Sequence, residues 1–253
     1  MTQFRILICS DYSLVSDSGS IMHGILMDLL PQPWPARLHE TGLKPFSQWV
    51  ESQSGGKVVW HIGVLDEELA SVLRNSLVLN TSIYCKHTRN EIRFLSTEAR
   101  DLSLQEYLND FVLAEEPDQD IRLFFKTATA HKSQGEYVIL PSVELIARSL
   151  QKRFGQIDPE CILADDEVVG HIIDNTKLIR YKLESTPYNL EGTRVFGYTG
   201  SLNLRFQGET TLKRLSTALF CMAGWSGVGI KTALGMGGCK VIRLNTTHSS
   251  EKE

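Results

Sequence analysis

Two halves of the chain, residues 1–115 and 121–246, each run strand, helix, strand, strand, helix, strand. That order predicts an α+β protein built of two tandem ferredoxin-like (RRM-like) β-α-β-β-α-β domains. Two further observations support the division. Glu115-Glu116-Pro117-Asp118-Gln119-Asp120 is polar, charged and broken by proline, as a linker is. A length of 253 residues accommodates two units of roughly 100–130 residues, each with its own core.

Phe4–Cys9 opens as a strand. Ser18–Leu30 carries Ile21, Ile25, Leu26 and Leu29 at helical spacing and ends at Pro31. Pro31, Pro33 and Pro35 predict an extended, irregular connection, and Arg37–Phe46 reads as a loop entering a short strand. Val58–Leu65 is a clear strand. Asp66 is a good N-cap for a helix over Glu67–Leu79, whose early acids suit the helix dipole. Ser82–Leu95 is strand-like, with a hairpin turn near Thr88–Asn90.

In the second half Ile121–Thr129 and Glu136–Leu140 read as a strand pair. Val143–Phe154 is a helix with Val143, Ile146, Ala147 and Leu150 on one face and Gly155 as its stop. Leu178–Leu183 and Phe196–Phe206 read as strands. Thr210–Ala223 has Leu212, Leu215, Leu219 and Met222 on one helical stripe, and Cys239–Leu244 alternates as the last strand. The two sheet faces are expected to form a joint cleft, and His248–Glu253 reads as a frayed tail.

Composition excludes several classes. A hydrophobic fraction of 42% is ordinary for a globular protein. No apolar run approaches the roughly 18 residues needed to span a membrane. Met1–Ser10 carries Arg5 and lacks a cleavage signature, which points to the cytoplasm. Cys9, Cys85, Cys161, Cys221 and Cys239 are dispersed with no C-x-x-C pair, against a disulfide framework or a zinc site. The net charge of −4 is unevenly spread. Residues 1–120 hold 9 Lys/Arg against 17 Asp/Glu, and residues 121–253 hold 17 against 13. The second half is therefore basic, mild support for a polyanion partner.

The densest signal is Gly224–Gly238, with six glycines in fifteen residues around Lys231 and Thr232. Each glycine costs roughly 0.5–1 kcal/mol in a regular element, so this backbone turns sharply or lies flush against something. Exposed amides beside a lysine suit phosphate oxygens; a tight loop with no ligand is the plainer reading. It is not a nucleotide P-loop. Gly224 and Gly229 have the spacing, but Ile230 stands where lysine must be, and the order is helix, loop, strand rather than strand, loop, helix.

Read as G-x-G-x-K-[TS]-x-x-G-x-G before a final strand, this segment resembles the signature loop of the CRISPR-associated repeat-processing endoribonucleases, the Cas family numbered six in the RAMP superfamily. Phe124–Thr129 running to Tyr137–Ser142, and Phe196-Gly197-Tyr198-Thr199-Gly200, resemble other parts of that family's second domain. His23-Gly24-Ile25-Leu26 and Leu38-His39-Glu40 are similar to its N-terminal pattern. The resemblance covers nearly the whole chain. It implies metal-independent, cofactor-free cleavage of CRISPR precursor transcripts within their repeats. The 2′-hydroxyl attacks the adjacent phosphate and leaves a 2′,3′-cyclic phosphate and a 5′-hydroxyl. The alternative is a non-catalytic RAMP-type RNA-binding subunit of a CRISPR effector complex. A generic RRM-like RNA binder is disfavoured because no RNP1-type aromatic motif is present. The partners implied are repeat RNA, effector-complex subunits and a second copy in a homodimer.

Histidine suits the proton steps because its unperturbed pKa lies near neutrality. The resemblance makes His39 the catalytic histidine and Lys44 a holder of transition-state charge. The helix tyrosine used by some members is replaced by Met27, which leaves His23 as the substitute. RNA contacts are expected from Gly227, Gly229, Lys231, Thr232, Gly235, Gly237 and Gly238, with Trp225 stacking a base or anchoring the loop. Arg194, Arg205, Lys213 and Arg214 would widen the basic surface. His61 and His87 read as sheet residues, His131 and Lys132 as solvated turn residues, and His171 has no assigned role.

Overall fold

The structure, a computed structural model, describes residues 1–40, 42–190 and 192–244. The expected tail, His248–Glu253, lies outside them, as do residues 245–246 of the second half and Thr41 of the Arg37–Phe46 segment.

The first unit comprises β1 (Thr2–Ser10), α1 (Gly19–Leu29), α2 (Trp34–Glu40), β2 (Phe46–Ser52), β3 (Lys57–Val64), α3 (Glu67–Leu79), β4 (Ser82–Cys85) and β5 (Asn90–Asp101). Its antiparallel sheet has the order β2-β3-β1-β5-β4. With β4 set aside as an edge hairpin strand, this is the ferredoxin-like order. Met22, Ile25, Leu26 and Leu29 of α1 and Leu69, Ala70, Leu73 and Leu77 of α3 bury one face of each helix against the sheet. Asp66 caps α3 by accepting from the Leu69 amide at 2.7 Å.

The prolines do not produce the extended connection expected of them. Pro33 precedes α2 and Pro35 sits in its first turn, where the missing N–H has no intrahelical partner to lose. His87 lies in the turn between β4 and β5 rather than in the sheet.

A helix with no counterpart in the sequence expectation follows, α4 (Leu104–Val112). Ser103 and Glu106 form a reciprocal capping box at its start. Tyr107 donates its hydroxyl to the Ala218 carbonyl at 2.6 Å, and Tyr107 and Phe111 belong to the second unit's core.

The second unit contains β6 (Asp120–Thr129), β7 (His131–Ser133), β8 (Glu136–Val138), α5 (Val143–Ile157), α6 (Asp166–Asp174), β9 (Thr176–Leu190), β10 (Thr193–Phe206), α7 (Thr210–Cys221), α8 (Ala223–Ser226) and β11 (Cys239–Leu244). Its sheet runs β11-β6-β10-β9, the same ferredoxin-like order. The Glu136 segment pairs with β7 in a separate two-stranded ribbon, not with β6. Gly155 does not stop α5. It is accommodated in the last turn against the Ala164 methyl, and the helix runs on to Ile157. No helix among the described residues is long and apolar enough to cross a membrane.

The units meet through the glycine-rich segment. Gly63 of β3 lies so close to it that a Cβ there would come 1.7 Å from the Trp225 carbonyl oxygen. Ser47 donates to that same oxygen at 3.2 Å, and Gln3 to the Gly224 carbonyl at 2.7 Å. Gln48, 1% exposed, donates to the carbonyls of Gly19 at 2.7 Å and Ala233 at 3.0 Å and accepts from the Trp60 indole at 2.6 Å. Such a fully bonded buried amide specifies one docking geometry, because any other leaves it unsatisfied.

Candidate active site at the junction of the two units

A cleft of about 620 Å³ opens where α1, α2 and the segment before β2 face α5, β7 and the glycine-rich segment. His23, His39, Lys44, Lys231 and Thr232 all line it, so sequence positions more than 200 residues apart converge there. Among the described residues no Asp or Glu lines it, whereas Lys44, Lys132, Arg148, Lys152, Arg153 and Lys231 do. A concave site with one sign of charge concentrates the opposite sign, here phosphate.

His39 sits in the last turn of α2 rather than on a loop. Trp34 and Leu38, four residues apart, are buried in the first core, which leaves His39 exposed at the cleft. The helix end is held by Lys44, whose ammonium donates to the Leu38 carbonyl and, at 3.3 Å, to the His39 carbonyl. A cation there also interacts favourably with the negative end of the helix dipole. Lys44 thus fixes the segment carrying His39, a task the sequence did not suggest for it. His23 stacks on Phe46 at 5.9 Å, and its Nδ1 faces the Ala233 carbonyl at 3.1 Å. A carbonyl can only accept, so the hydrogen resides on Nδ1.

The glycine-rich segment differs from the phosphate cradle expected of it. The amides of Gly227, Gly229, Gly235, Gly237 and Gly238 already donate to the Ala223 carbonyl, Ser149 Oγ, and the carbonyls of Thr232 and Ala128, and Thr127 Oγ1, respectively. Gly229 has φ +82°, and a Cβ on it would come 2.2 Å from the Ala130 carbonyl oxygen. The glycines allow the chain to fold flush between the two sheets, and Gly227, Gly235, Gly237 and Gly238 are buried. Thr232 is 3% exposed, with its hydroxyl accepting from Arg153 at 2.6 Å. Trp225 is 7% exposed and packs edge-on against Tyr107 in the second core, so it anchors the loop and does not offer a stacking face. Lys231, exposed at the cleft, is the segment's cation toward solvent.

Residues 123–239 match the family described as CRISPR-associated endoribonuclease Cas6. A CRISPR-associated endoribonuclease Cas6 from Streptococcus thermophilus is 29% identical over 224 residues, covering 87% of this chain and 89% of that protein. The chain is similar to Cas6 endoribonucleases over most of its length. A Cas6 from Mycobacterium tuberculosis (strain CDC 1551 / Oshkosh) is also 29% identical, over 237 residues, covering 91% of this chain and 73% of that one. A solved Cas6 product complex superposes with a TM-score of 0.78 at 20% identity, covering 96% of this chain and all of that one, so the fold is shared end to end.

A second groove, about 670 Å³, lies between the two sheet faces. Its charges are already paired. Glu51 of β2 bridges Lys126 of β6 at 3.0 Å and Lys240 of β11 at 2.7 Å. Burial alone would raise the Glu51 carboxyl, but the bonds and charges of Lys240 and Lys126 outweigh it and hold it at about 2. His61 stacks on Trp49 at 4.0 Å. Burial, helped by Lys240, lowers it to about 4, so it is neutral and poorly suited to proton transfer at pH 7. The cleft holding His39 is the candidate active site. Two of the four expected outlying cations are also engaged: Arg205 pairs with Asp120 at 2.8 Å, and Arg214 donates to the Ala114 carbonyl at 2.6 Å.

His131 is not a solvated turn residue. It begins β7, is 3% exposed and lies 3.0 Å from the Tyr198 hydroxyl. Burial lowers it to about 4. With folded values near 4 against 6.5 when unfolded, His61 and His131 bind fewer protons folded than unfolded between those pH values. Stability is therefore complete above about pH 6.5 and falls as pH drops toward 4. Urea midpoints at pH 7 and 4.5 will differ more for the wild type than for His131→Asn, while Glu51 stays ionised throughout.

Sequence reasoning missed the α5 wall of the cleft. Leu145, Arg148, Ser149 and Lys152 recur at i, i+3, i+4 and i+7, one helical face opposite the apolar stripe. Ser149 bonds the Gly229 amide, and Arg148 pairs with Asp166 at 3.0 Å. That spacing was the available signal.

Proposed function

We propose that this chain cuts CRISPR precursor transcripts within their repeats, in the cytoplasm, at the cleft between its two units. What supports this most is the gathering of His23, His39 and several lysines in a cleft lined, among the described residues, by no carboxylate, in a chain similar to Cas6 endoribonucleases. His39 takes the proton of the 2′-hydroxyl. The 2′-oxygen forms a bond to the adjacent phosphorus as the bond to the 5′-oxygen breaks. Protonated His39, or water, returns a proton to the leaving 5′-oxygen. The products are a 2′,3′-cyclic phosphate and a 5′-hydroxyl. Lys44 keeps the end of α2 in place, and Lys231 and Lys152 supply positive charge for the phosphate as it becomes five-coordinate. Single-stranded or hairpin RNA fits better than a continuous duplex, whose deep major groove excludes side chains.

The test is purified protein with its cognate repeat RNA in excess EDTA, beside the same RNA carrying deoxyribose at the cut position. Cleavage of the first at one phosphate, with the second bound but intact, is the expected result. Tight binding with neither RNA cut would instead make the chain a non-catalytic RNA-binding subunit.

A further inference from the structure

Arg153 is 2% exposed, although Lys152 beside it on α5 reaches solvent. Its Nη1 donates to the Lys44 carbonyl at 2.7 Å and to Gln156 Oε1 at 3.2 Å, and its Nη2 to Thr232 Oγ1 at 2.6 Å. These acceptors are all neutral. Burial lowers the guanidinium to about 10, which still leaves it charged at neutral pH. A buried cation without a carboxylate is a poor device for stability alone. Even a buried ion pair can often be replaced by apolar side chains with no loss of stability.

The contacts of Arg153 join three stretches that are distant in sequence: α5, the segment before β2, and the glycine-rich segment. We propose that Arg153 is a positioning residue of the cleavage site. By holding the Lys44 backbone it fixes where the Lys44 ammonium grips the end of α2, and hence where His39 stands relative to Lys231. The proposal rests on the cleavage reading above. Gln156 makes a second tie to the same segment, donating to the Leu43 carbonyl at 2.8 Å. Loss of the arginine therefore loosens the segment without releasing it. A misplacement of about 1 Å at a reacting group can cost ~10²-fold in rate. RNA affinity, spread over many phosphates, is far less sensitive to it.

The experiment measures single-turnover cleavage of the repeat RNA and affinity for the same RNA with deoxyribose at the cut position. It uses the wild type, Arg153→Met, Arg153→Lys, Thr232→Val and the Met/Val double variant. Arg153→Met is expected to lower the rate by about 100-fold while affinity changes by less than about threefold, the signature of lost geometry rather than lost binding. Arg153→Lys, which keeps the charge but reaches fewer acceptors, recovers part of the rate. Thr232→Val lowers the rate alone but adds nothing to Arg153→Met, because their shared bond is already gone. Equal rates for Arg153→Met and the wild type, or rate and affinity falling by the same factor, overturn the proposal. Should Arg153→Met fail to fold, Thr232→Val decides, and a wild-type rate in it overturns the proposal. A wild type that binds but does not cut removes the cleavage reading itself, and this proposal with it.

Discussion

His39→Ala will cut the cognate repeat RNA about 10²–10⁴-fold more slowly than the wild type, the usual contribution of a positioned acid–base group. Its thermal midpoint will stay at the wild-type value and its RNA affinity will barely move. Both expectations follow from where the residue stands. His39 is exposed on the outer face of α2, while Trp34 and Leu38 supply that helix's buried contacts. Removing the imidazole leaves the helix anchored and the surrounding lysines in place. A variant that cuts as fast as the wild type would transfer the proton steps to another group, and His23, on the same cleft, is the one to change next. A variant that loses cleavage and binding together would make His39 a contact for RNA instead.

Gly63→Ala will be among the most destabilising single-methyl additions in the molecule. The new Cβ would fall 1.7 Å from the Trp225 carbonyl oxygen, a backbone atom that cannot rotate aside. Relief requires the glycine-rich segment to lift off β3, which disturbs the Ser47 and Gln3 bonds to the same stretch. Overpacking of this kind typically costs about 1–3 kcal/mol, and rigid backbone on both sides places this case at about 3 kcal/mol or above. Urea unfolding will show it as a lowered midpoint. Gly24→Ala is the control, because Gly24 lies on α1 with nothing within 4 Å of an added Cβ. It should stabilise by roughly 0.5–1 kcal/mol. Equal stability of Gly63→Ala and the wild type would show that the two units are not docked as described.

The two ferredoxin-like units were legible because each helix and strand declares itself through local periodicity, and the two sheets repeat one order. Two helices were overlooked although their signals were local. Ser103-x-x-Glu106 is a capping box, and Asp165 followed by Val168, Val169 and Ile172 announces α6. Helix α2 was obscured by three prolines, one of which sits where a first turn tolerates it. The glycine-rich segment was legible as a special piece of backbone but not as a packing wedge. What it lies flush against, Gly63 and Trp49, is remote in sequence. Arg153 gave no warning at all. On a helix with Arg148 and Lys152 nearby, an arginine reads as one more solvated charge, and only the folded chain brings Lys44 and Thr232 to it.

The pairing of β11 with β6 sets a timetable. Cys239 lies opposite Phe125, so the first strand of the second sheet waits for the last before its edge is covered. At ribosomal speeds of about 5–20 residues per second, that wait is roughly 5–20 s. The glycine-rich segment, which closes one wall of the cleft and wedges the units together, emerges in the same final interval. A nascent or prematurely terminated chain therefore lacks one wall of the cleft. The cleft comes into being only when synthesis has passed Gly238.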